Sequence, residues 1–286
     1  MAVLRPRHGS VEEGGPAETP GAGGAQEAAA PHDAPRRFGP DSAGSPPADP
    51  AEVWARLRSV ALDQRHLARR RVIGAGKRDP AQVAFDVLRT RLLQALKARG
   101  WHRVAITSPT QGCGKTFVAA NLALSLSRQP SCRAVLMDLD LRDPSLAAVL
   151  GVRDPGSMRD FLTGVRPPEA HFLRVADNLA VGLNAAPTAG AAELLQEPAA
   201  RGALDAMQAA FRPDVVLYDL PPALVCDDVI AFLPQVDCVL LVAGGGRTHA
   251  PDVKKCEALF ADQTPLLGVV LNKAEDARIE PYGPLP

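Results

Sequence analysis

The sequence RVAITSPTQGCGKTFVAANLALSL, at residues 103–126, decides the fold of this chain. It opens with a short apolar run at residues 104–107, continues with a turn-forming segment, and closes with an amphipathic run at residues 117–126. These patterns predict a strand, a glycine-containing loop and a helix, in that order. A phosphate-binding loop requires this structural context.

The residues of the loop fit phosphate chemistry. Gly112 and Gly114 have no side chains, so backbone N–H groups can turn toward an anion at which the following helix directs its positive end. Lys115 would reach the β- and γ-phosphates, and the Thr116 hydroxyl would bind Mg²⁺. Pro109 departs from the usual pattern, which begins with glycine, and a short GKT match also arises by chance. The flanking strand and helix favour the phosphate loop. The predicted nucleotide contacts in it are Gly112, Cys113, Gly114, Lys115, Thr116 and Phe117.

Two later apolar runs end in aspartates. Residues 134–137 lead into Asp138 and Asp140, and residues 215–218 lead into Asp219. Ligands of open α/β sheets bind outside the carboxyl ends of the strands, so we expect these acids at the same edge as the phosphate loop. The first two also fit a turn or capping pair, and a single strand ending in aspartate is common. Together with the strand that leads into the phosphate loop, these make three strand ends, which in this order favour a site for magnesium and phosphates.

Strand patterns alternate with helix patterns along most of the chain. This alternation predicts an α/β fold, a doubly wound and mostly parallel sheet with helices on both faces, as in P-loop NTPases. Residues 145–200 are predicted as short helices and loops without chemistry of their own, with one weak strand at 179–183. We divide the chain into a disordered Ala/Pro/Gly-rich tail (1–50), a helical linker (51–79), the P-loop domain (80–275) and a flexible C-terminal tail (276–286). The other predicted helices are 51–71, 80–100, 198–211 and 251–261, and the last strands are 238–242 and 267–271. For the helix over 80–100 we expect Asp79 as its cap and an apolar face formed by Val83, Val87, Leu88, Leu92, Leu93 and Leu96.

Composition limits the classes of function. The formal net charge is zero and aromatic residues make up 4% of the chain, so neither a basic patch nor a stacking surface indicates nucleic acid as a partner. Five scattered cysteines without metal-ligand spacing are typical of reduced, cytosolic thiols. The sequence has no secretory signal and no apolar run of membrane-spanning length. We therefore expect a soluble cytoplasmic protein that a partner recruits if it works at a membrane.

Several motifs together resemble a known family. They are the loop ITSPTQGCGKT, the segment VLMDLDLRDP, the tetrapeptide AELL at residues 192–195, YDLPP, and GVVLNKAE near the end. In these the chain resembles the bacterial tyrosine kinases of the CpsD/CapB type, within the MinD/ParA group of P-loop proteins. The resemblance runs from about Ala81 to Glu275. It implies ATP and Mg²⁺ as cofactors, a cytoplasmic enzyme at the inner face of the plasma membrane, and a membrane polysaccharide co-polymerase as partner in capsule or exopolysaccharide synthesis.

The resemblance also implies roles for single residues. Asp138 matches the acid that in these kinases helps to orient or deprotonate the acceptor tyrosine, and Asp140 would support the metal site. Asp219 matches the Walker B acid, and Asn272 lies where the family's adenine-side loop begins. The predicted catalytic residues are Lys115, Asp138, Asp140 and Asp219. The predicted metal ligands are Thr116, Asp138 and Asp219.

The chain departs from the family's pattern at two places. MinD and ParA relatives carry a second lysine before the glycines of the loop, where this chain has Thr110. The kinases usually carry Glu-x-x-Arg-x-x-Arg on the helix before the first strand, which serves ring assembly. Those positions here are Val83, Asp86 and Arg89, so only the last is kept. The resemblance implies a homo-oligomer, but the two altered positions argue against assembly as a ring.

The tyrosines leave three functions open. The family's tail is usually rich in tyrosines that the kinase phosphorylates, but this chain has two tyrosines in all. Tyr218 lies in a predicted core strand, so Tyr282 is the one tyrosine of the tail that the kinase could phosphorylate. The first hypothesis is an ATP-dependent tyrosine kinase that regulates polysaccharide polymerisation and export. The alternatives are a positioning ATPase of the MinD/ParA sort, and a nucleotide-gated adaptor that has lost kinase output.

Overall fold

A computed structural model describes residues 3–4, 49–72 and 80–274 of the chain. Within these residues nine strands form one sheet, in the order β1-β9-β8-β3-β7-β4-β6-β5-β2. Neighbouring strands run parallel, except that β1 is antiparallel to β9 and β5 is antiparallel to β6. The strands are β1 Val3–Leu4, β2 Arg58–Ser59, β3 Arg103–Thr107, β4 Ala134–Asp138, β5 Leu173–Ala176, β6 Leu179–Gly182, β7 Val215–Asp219, β8 Cys238–Gly244 and β9 Leu266–Asn272.

Helices cover both faces of this sheet. Alternate residues along a strand point to opposite faces, so Val104 and Ile106 of β3 belong to one apolar cluster and Ala105 belongs to the other. This two-sided burial confirms the predicted doubly wound α/β fold. The α-helices of the described residues are α1 Pro50–Arg56, α2 Gln64–Arg69, α3 Pro80–Arg99, α4 Lys115–Ser127, α5 Leu146–Leu150, α6 Met158–Leu162, α7 Pro168–His171, α8 Ala191–Gln196, α9 Pro198–Phe211, α10 Asp228–Phe232 and α11 Ala250–Phe260.

The central strands bring the functional segments to one edge. Strand β3 lies between β7 and β8, and β7 pairs in parallel with β4. In this register Ile106 is beside Asp219, and Asp219 is beside Asp138. The end of β3, where the glycine loop starts, therefore lies next to both strand-terminal acids, as the sequence predicts.

The segment before the P-loop domain is built differently from the prediction. The single helix expected over residues 51–71 is wrong, because α1 ends at Arg56 and β2 pairs with β5 before α2 begins. Trp54 is buried, donates a hydrogen bond from Nε1 to the Phe211 carbonyl at 2.8 Å, and packs against the ring of Phe211. Residues 50–72 thus pack on the sheet and on helix α9. Residues 1–50 and the C-terminal tail, which are predicted to be disordered, lie outside the described residues apart from a few positions.

Helix α3 confirms the predicted helix over 80–100, but not all of its predicted apolar face. Leu88, Leu92 and Leu96 are buried against the domain. Val83 and Val87, which were assigned to the same face, are 59% and 46% exposed. Asp79, predicted to cap this helix, lies outside the described residues. In the described part of the chain no helix is both long and apolar enough to cross a bilayer.

Candidate functional site

The loop between β3 and α4 has the backbone of an anion-binding site. Gly112 and Gly114 have φ angles of +76° and +89°, which L-residues with side chains rarely adopt. A Cβ on Gly114 would also lie 2.3 Å from Nδ2 of Asn272. Helix α4 begins at Lys115 with no side-chain cap and no acidic residue in its first turn. Its first N–H groups and its dipole therefore remain available to a phosphate.

The end of strand β9 holds this loop in place. Asn272 Nδ2 donates to the Cys113 carbonyl at 2.9 Å, and Lys273 Nζ donates to the Gly112 carbonyl at 2.8 Å. With two carbonyls engaged from outside, the N–H groups of the loop can face the opposite way. The sequence singled out Asn272, whose place beside adenine remains a prediction. It missed Lys273, although an Asn-Lys pair directly after a strand was visible.

Five of the predicted site residues converge. Lys115 Nζ lies 2.7 Å from Asp140 Oδ2 and 3.7 Å from Asp219 Oδ1. The same ammonium donates to the Thr116 hydroxyl oxygen at 3.3 Å. Asp138 lies beside Asp219 on the adjacent strand. The ends of strands β4 and β7 and the phosphate loop therefore meet around a single lysine.

The acids of the site carry unsatisfied oxygens. Asp138 and Asp219 are fully buried, and neither oxygen of Asp219 has a hydrogen-bond partner among the described residues. Asp138 accepts one bond from the Leu146 N–H at 3.0 Å through Oδ2, and its Oδ1 has none among the same residues. Buried carboxylate oxygens without partners cost free energy, so their presence points to a ligand that supplies positive charge.

The pKa values reflect this crowding. Burial, and next the charge of Asp219, raise the pKa of Asp138 well above its ordinary value. Burial also raises the pKa of Asp219, although Lys115 opposes it. Burial alone would lower the pKa of Lys115, but the charges of Asp219 and Asp140 outweigh it and raise that pKa. The site is therefore short of positive charge.

The predicted metal ligands fit a partly solvated Mg²⁺ better than a closed cage. Nowhere in residues 49–72 and 80–274 do three or more His, Cys, Asp or Glu side chains form a group that could hold a metal on its own. Magnesium usually keeps several waters and takes one or two carboxylates together with phosphate oxygens. The Thr116 hydroxyl, which accepts from Ser145 Oγ at 3.3 Å, and the free oxygens of Asp138 and Asp219 offer such a partial set.

Two other predicted nucleotide contacts have side chains turned away. The Cys113 thiol is buried and lies 3.4 Å from Thr248 Oγ1 and 3.7 Å from Thr110 Oγ1. Burial opposes ionisation of this thiol, but these hydrogen bonds outweigh it and lower the pKa of Cys113. The Phe117 ring packs edge-on against Phe85 of helix α3. Both residues can therefore contact a nucleotide only through the backbone.

The positions that match the family's assembly motif form an internal network. Asp86 accepts a hydrogen bond from Ser125 Oγ at 2.7 Å and pairs with Arg128, so it ties helix α3 to helix α4. Arg89 pairs with Asp86 at 3.2 Å and donates to the Ser125 carbonyl at 3.0 Å. Asp86 and Arg89 therefore have partners within the chain, whereas Val83 is exposed.

Comparison with known proteins assigns the chain to a family. The profile of the ParA-type family described as NUBPL iron-transfer P-loop NTPase matches residues 101–277, more than half of the chain. The chain belongs to this ParA family of P-loop NTPases. The match begins just before β3 and includes the phosphate loop and all three aspartates of the site. It confirms the predicted P-loop fold and the MinD/ParA grouping.

Individual relatives place this ParA-family chain near bacterial tyrosine kinases. EpsB of Ralstonia solanacearum, named as a candidate tyrosine-protein kinase, is 33% identical over 72% of this chain, and the chain spans about a quarter (27%) of EpsB. The tyrosine-protein kinase YwqD of Bacillus subtilis is 27% identical over 70% of this chain and 84% of YwqD. The crystal structure of the VpsO kinase domain is 27% identical, covers 68% of this chain and 96% of VpsO's, and has a TM-score of 0.60. These relatives confirm the resemblance that the motifs indicated.

Proposed function

We propose that this chain binds ATP with Mg²⁺ and transfers the γ-phosphoryl group to a tyrosine hydroxyl of a protein. The observation that carries the proposal is the convergence of Lys115, Asp140 and Asp219 beside a glycine loop whose first helical N–H groups are uncapped. A relative named a tyrosine-protein kinase and a solved structure described as a kinase domain, which cover 70% and 68% of this chain, support it.

The side chains have separable tasks in this reaction. Lys115 would leave its pairing with Asp140 and place its charge on the terminal phosphates, where negative charge develops during transfer. Bound Mg²⁺ would neutralise further charge, and Thr116 and Asp219 would hold it. Asp138, with its raised pKa and a free oxygen, is suited to accept the proton of the tyrosine hydroxyl as the new O–P bond forms and ADP leaves.

The acceptor tyrosine belongs to another molecule or to the tail. Tyr218 is completely buried in strand β7, and burial raises the pKa of its hydroxyl well above the ordinary value. Its hydroxyl cannot reach the site while the sheet is intact. The other tyrosine, Tyr282, lies outside the described residues. We propose that the substrate is a tyrosine of a protein of the capsule or exopolysaccharide machinery, and that a membrane co-polymerase recruits the chain to the inner face of the membrane.

A nucleotide-gated adaptor is the second candidate. The small number of tyrosines favours it, because the only one in the described residues is buried. A positioning ATPase has less support. At the place of the second lysine of MinD and ParA relatives, the Thr110 side chain turns back toward Cys113 of its own loop.

One assay separates these functions. The purified chain is incubated with Mg²⁺ and ATP labelled at the γ-phosphate, with and without the cytoplasmic segment of a co-polymerase and a tyrosine-containing copolymer. The kinase proposal predicts label on tyrosine. Release of labelled phosphate alone would support the ATPase, and ATP binding without turnover would support the adaptor.

Two variants control the assay. Lys115→Met should abolish labelling, because its methionine has no charge to place on the phosphates. Tyr282→Phe should leave labelling of the copolymer unchanged and should remove only self-labelling. Copolymer labelling that persists at the wild-type rate in Lys115→Met would contradict the proposed site.

A further inference from the structure

The turn that follows strand β8 is fastened to the phosphate loop. The Gly244 N–H donates to Thr248 Oγ1 at 2.9 Å, and the same hydroxyl oxygen lies 3.4 Å from the Cys113 sulfur. A Cβ on Gly244 would lie only 3.1 Å from the Cys113 Cα. Gly246 has a φ of +68°, a conformation that favours glycine. The sequence GGGRT at residues 244–248 therefore builds a tight turn whose position is fixed relative to the loop.

This turn places the guanidinium of Arg247 over the phosphate loop. A Cβ built on Gly112 would lie 3.0 Å from Nη1 of Arg247 and 3.4 Å from its Cζ. Arg247 is exposed, and within residues 49–72 and 80–274 its side chain has neither an ion pair nor a hydrogen bond. The other two cations at the loop, Lys115 and Lys273, are each bonded to protein oxygens.

An arginine with no partner at this position has a specific chemical use. Its planar guanidinium presents several N–H donors and binds phosphate oxygens in pairs. Lys115 is mostly buried beside Asp140 and Asp219, whereas Arg247 is exposed and lies against the same loop at Gly112. A phosphate group in the loop would therefore lie near two cations, and Arg247 would offset part of the negative charge of the aspartates.

We propose that Arg247 is a nucleotide-binding residue whose guanidinium contacts the phosphates of bound ATP from the solvent side of the loop. The proposal rests on the proposed ATP binding and adds a binding group from the turn after β8. The Arg247 side chain does not stabilise the fold, because it has no ion pair or hydrogen bond in the described residues.

Calorimetric titration of the full chain with Mg²⁺ and ATP tests this role. Arg247→Ala is expected to weaken ATP binding by about 5- to 20-fold, the loss that follows removal of a partly exposed charge-assisted hydrogen bond. Arg247→Lys should recover part of the affinity. Millimolar guanidinium chloride should also recover part of it in Arg247→Ala, an effect that a structural role would not produce. Arg201→Ala, which removes an exposed arginine of helix α9, is the matched control and should bind ATP like the wild type.

The outcomes distinguish this inference from the proposed function. If the wild type binds ATP and Arg247→Ala binds it within a factor of about two, a difference too small for a lost ionic hydrogen bond, the Arg247 role is wrong and the proposed function stands. If the wild type binds no ATP, both are overturned. If Arg247→Ala loses affinity together with thermal stability, and guanidinium does not restore binding, the role is structural and the inference is again wrong.

Discussion

Replacing Asp138 with asparagine should stabilise the metal-free protein while removing its activity. Asp138 and Asp219 are buried side by side on adjacent strands, and three of their four oxygens have no hydrogen-bond partner in the described residues. Asparagine has nearly the same shape, and its oxygen can still accept from the Leu146 N–H. The substitution therefore removes one charge from a crowded site without leaving a cavity.

The size of the effect follows from the spacing of the strands. Neighbouring strands lie about 5 Å apart, and two unit charges at that distance repel by about 3 kcal/mol at an effective dielectric constant of about 20. Lys115 already offsets part of this repulsion, since it lies 2.7 Å from Asp140 and 3.7 Å from Asp219. We expect a gain of about 1–3 kcal/mol in the free energy of unfolding, or about 3–8 °C in the melting temperature.

The pH dependence has a defined sign. Because the pKa of Asp138 is raised in the folded protein, the folded state binds the proton more tightly than the unfolded state does. Wild-type stability should fall as the pH rises from the unfolded pKa of about 3.9 toward the higher folded pKa. Asparagine does not titrate, so the advantage of Asp138→Asn should be small near pH 4 and should grow as the pH rises toward 7.

Thermal unfolding without metal, at pH 4 and pH 7, measures this difference. Asp205→Asn, which removes an exposed acid of helix α9, is the control and should change stability by no more than about 0.5 kcal/mol. Mg²⁺ with ATP should stabilise the wild type more than Asp138→Asn, and tyrosine labelling should be lost in the variant. The electrostatic reasoning would be refuted if the variant were less stable than the wild type at pH 7, or if its gain in stability over the wild type were the same at pH 4 and pH 7.

Three other substitutions test separate parts of the structure. Gly114→Ala should weaken ATP binding by about tenfold or more in calorimetric titration, because the alanine would have to adopt a φ of +89° and would clash with Asn272. The control is Gly202→Ala, which lies in open space on helix α9 and should instead stabilise the chain by about 0.5–1 kcal/mol. Asp237→Asn should cost about 1–3 kcal/mol in urea unfolding at pH 7, because Asp237 accepts bonds from the His102 and Arg103 N–H groups and from the Arg103 guanidinium. Burial acts to raise the pKa of Asp237, but these hydrogen bonds outweigh it and lower the pKa. The stabilisation is therefore present above the unfolded pKa of about 3.9 and is lost as the pH falls through the folded pKa. An equal cost of the substitution at pH 2 and pH 7 would contradict this. Trp54→Ala should lower the free energy of unfolding by about 3–5 kcal/mol, measured by circular dichroism, and a loss below about 1 kcal/mol would show that residues 50–72 do not pack on the sheet as described.

The sequence allowed the central fold to be predicted because its strands are continuous apolar runs. Strands β3, β4 and β7 are buried on both faces, so every position is selected for packing and their pattern is visible locally. The parallel order then fixes the edge at which their ends meet. Asp138, Asp140 and Asp219 could for this reason be assigned to one site without knowledge of any contact.

The peripheral strands could not be predicted in the same way. Strand β2 consists of Arg58 and Ser59, both exposed, and it exists only through its pairing with β5, more than one hundred residues later. A two-residue polar strand carries no periodicity. The hydrogen bond from Trp54 to Phe211 is likewise made across 157 positions of sequence, so the packing of residues 50–72 could not be read from that segment alone.

The residues that surround the site could also not be predicted from local sequence patterns. Lys273 and Arg247 contact the phosphate loop from 135 to 161 positions further along the chain, and neither lies in the motifs that mark the phosphates. The positive φ of Gly246 directs Arg247, and the positive φ of Lys273 turns the chain after β9. Such backbone conformations are decided by tertiary contacts.

A crystal structure of the chain with Mn²⁺ and a non-hydrolysable ATP analogue tests the central claim most directly. Mn²⁺ replaces Mg²⁺ and gives an anomalous signal that locates the metal independently of the protein phases. The arrangement of the site predicts one anomalous peak beside Thr116, with Lys115 turned from Asp140 to the phosphates. A nucleotide bound elsewhere, or Lys115 still paired with Asp140 while the analogue occupies the loop, would contradict it.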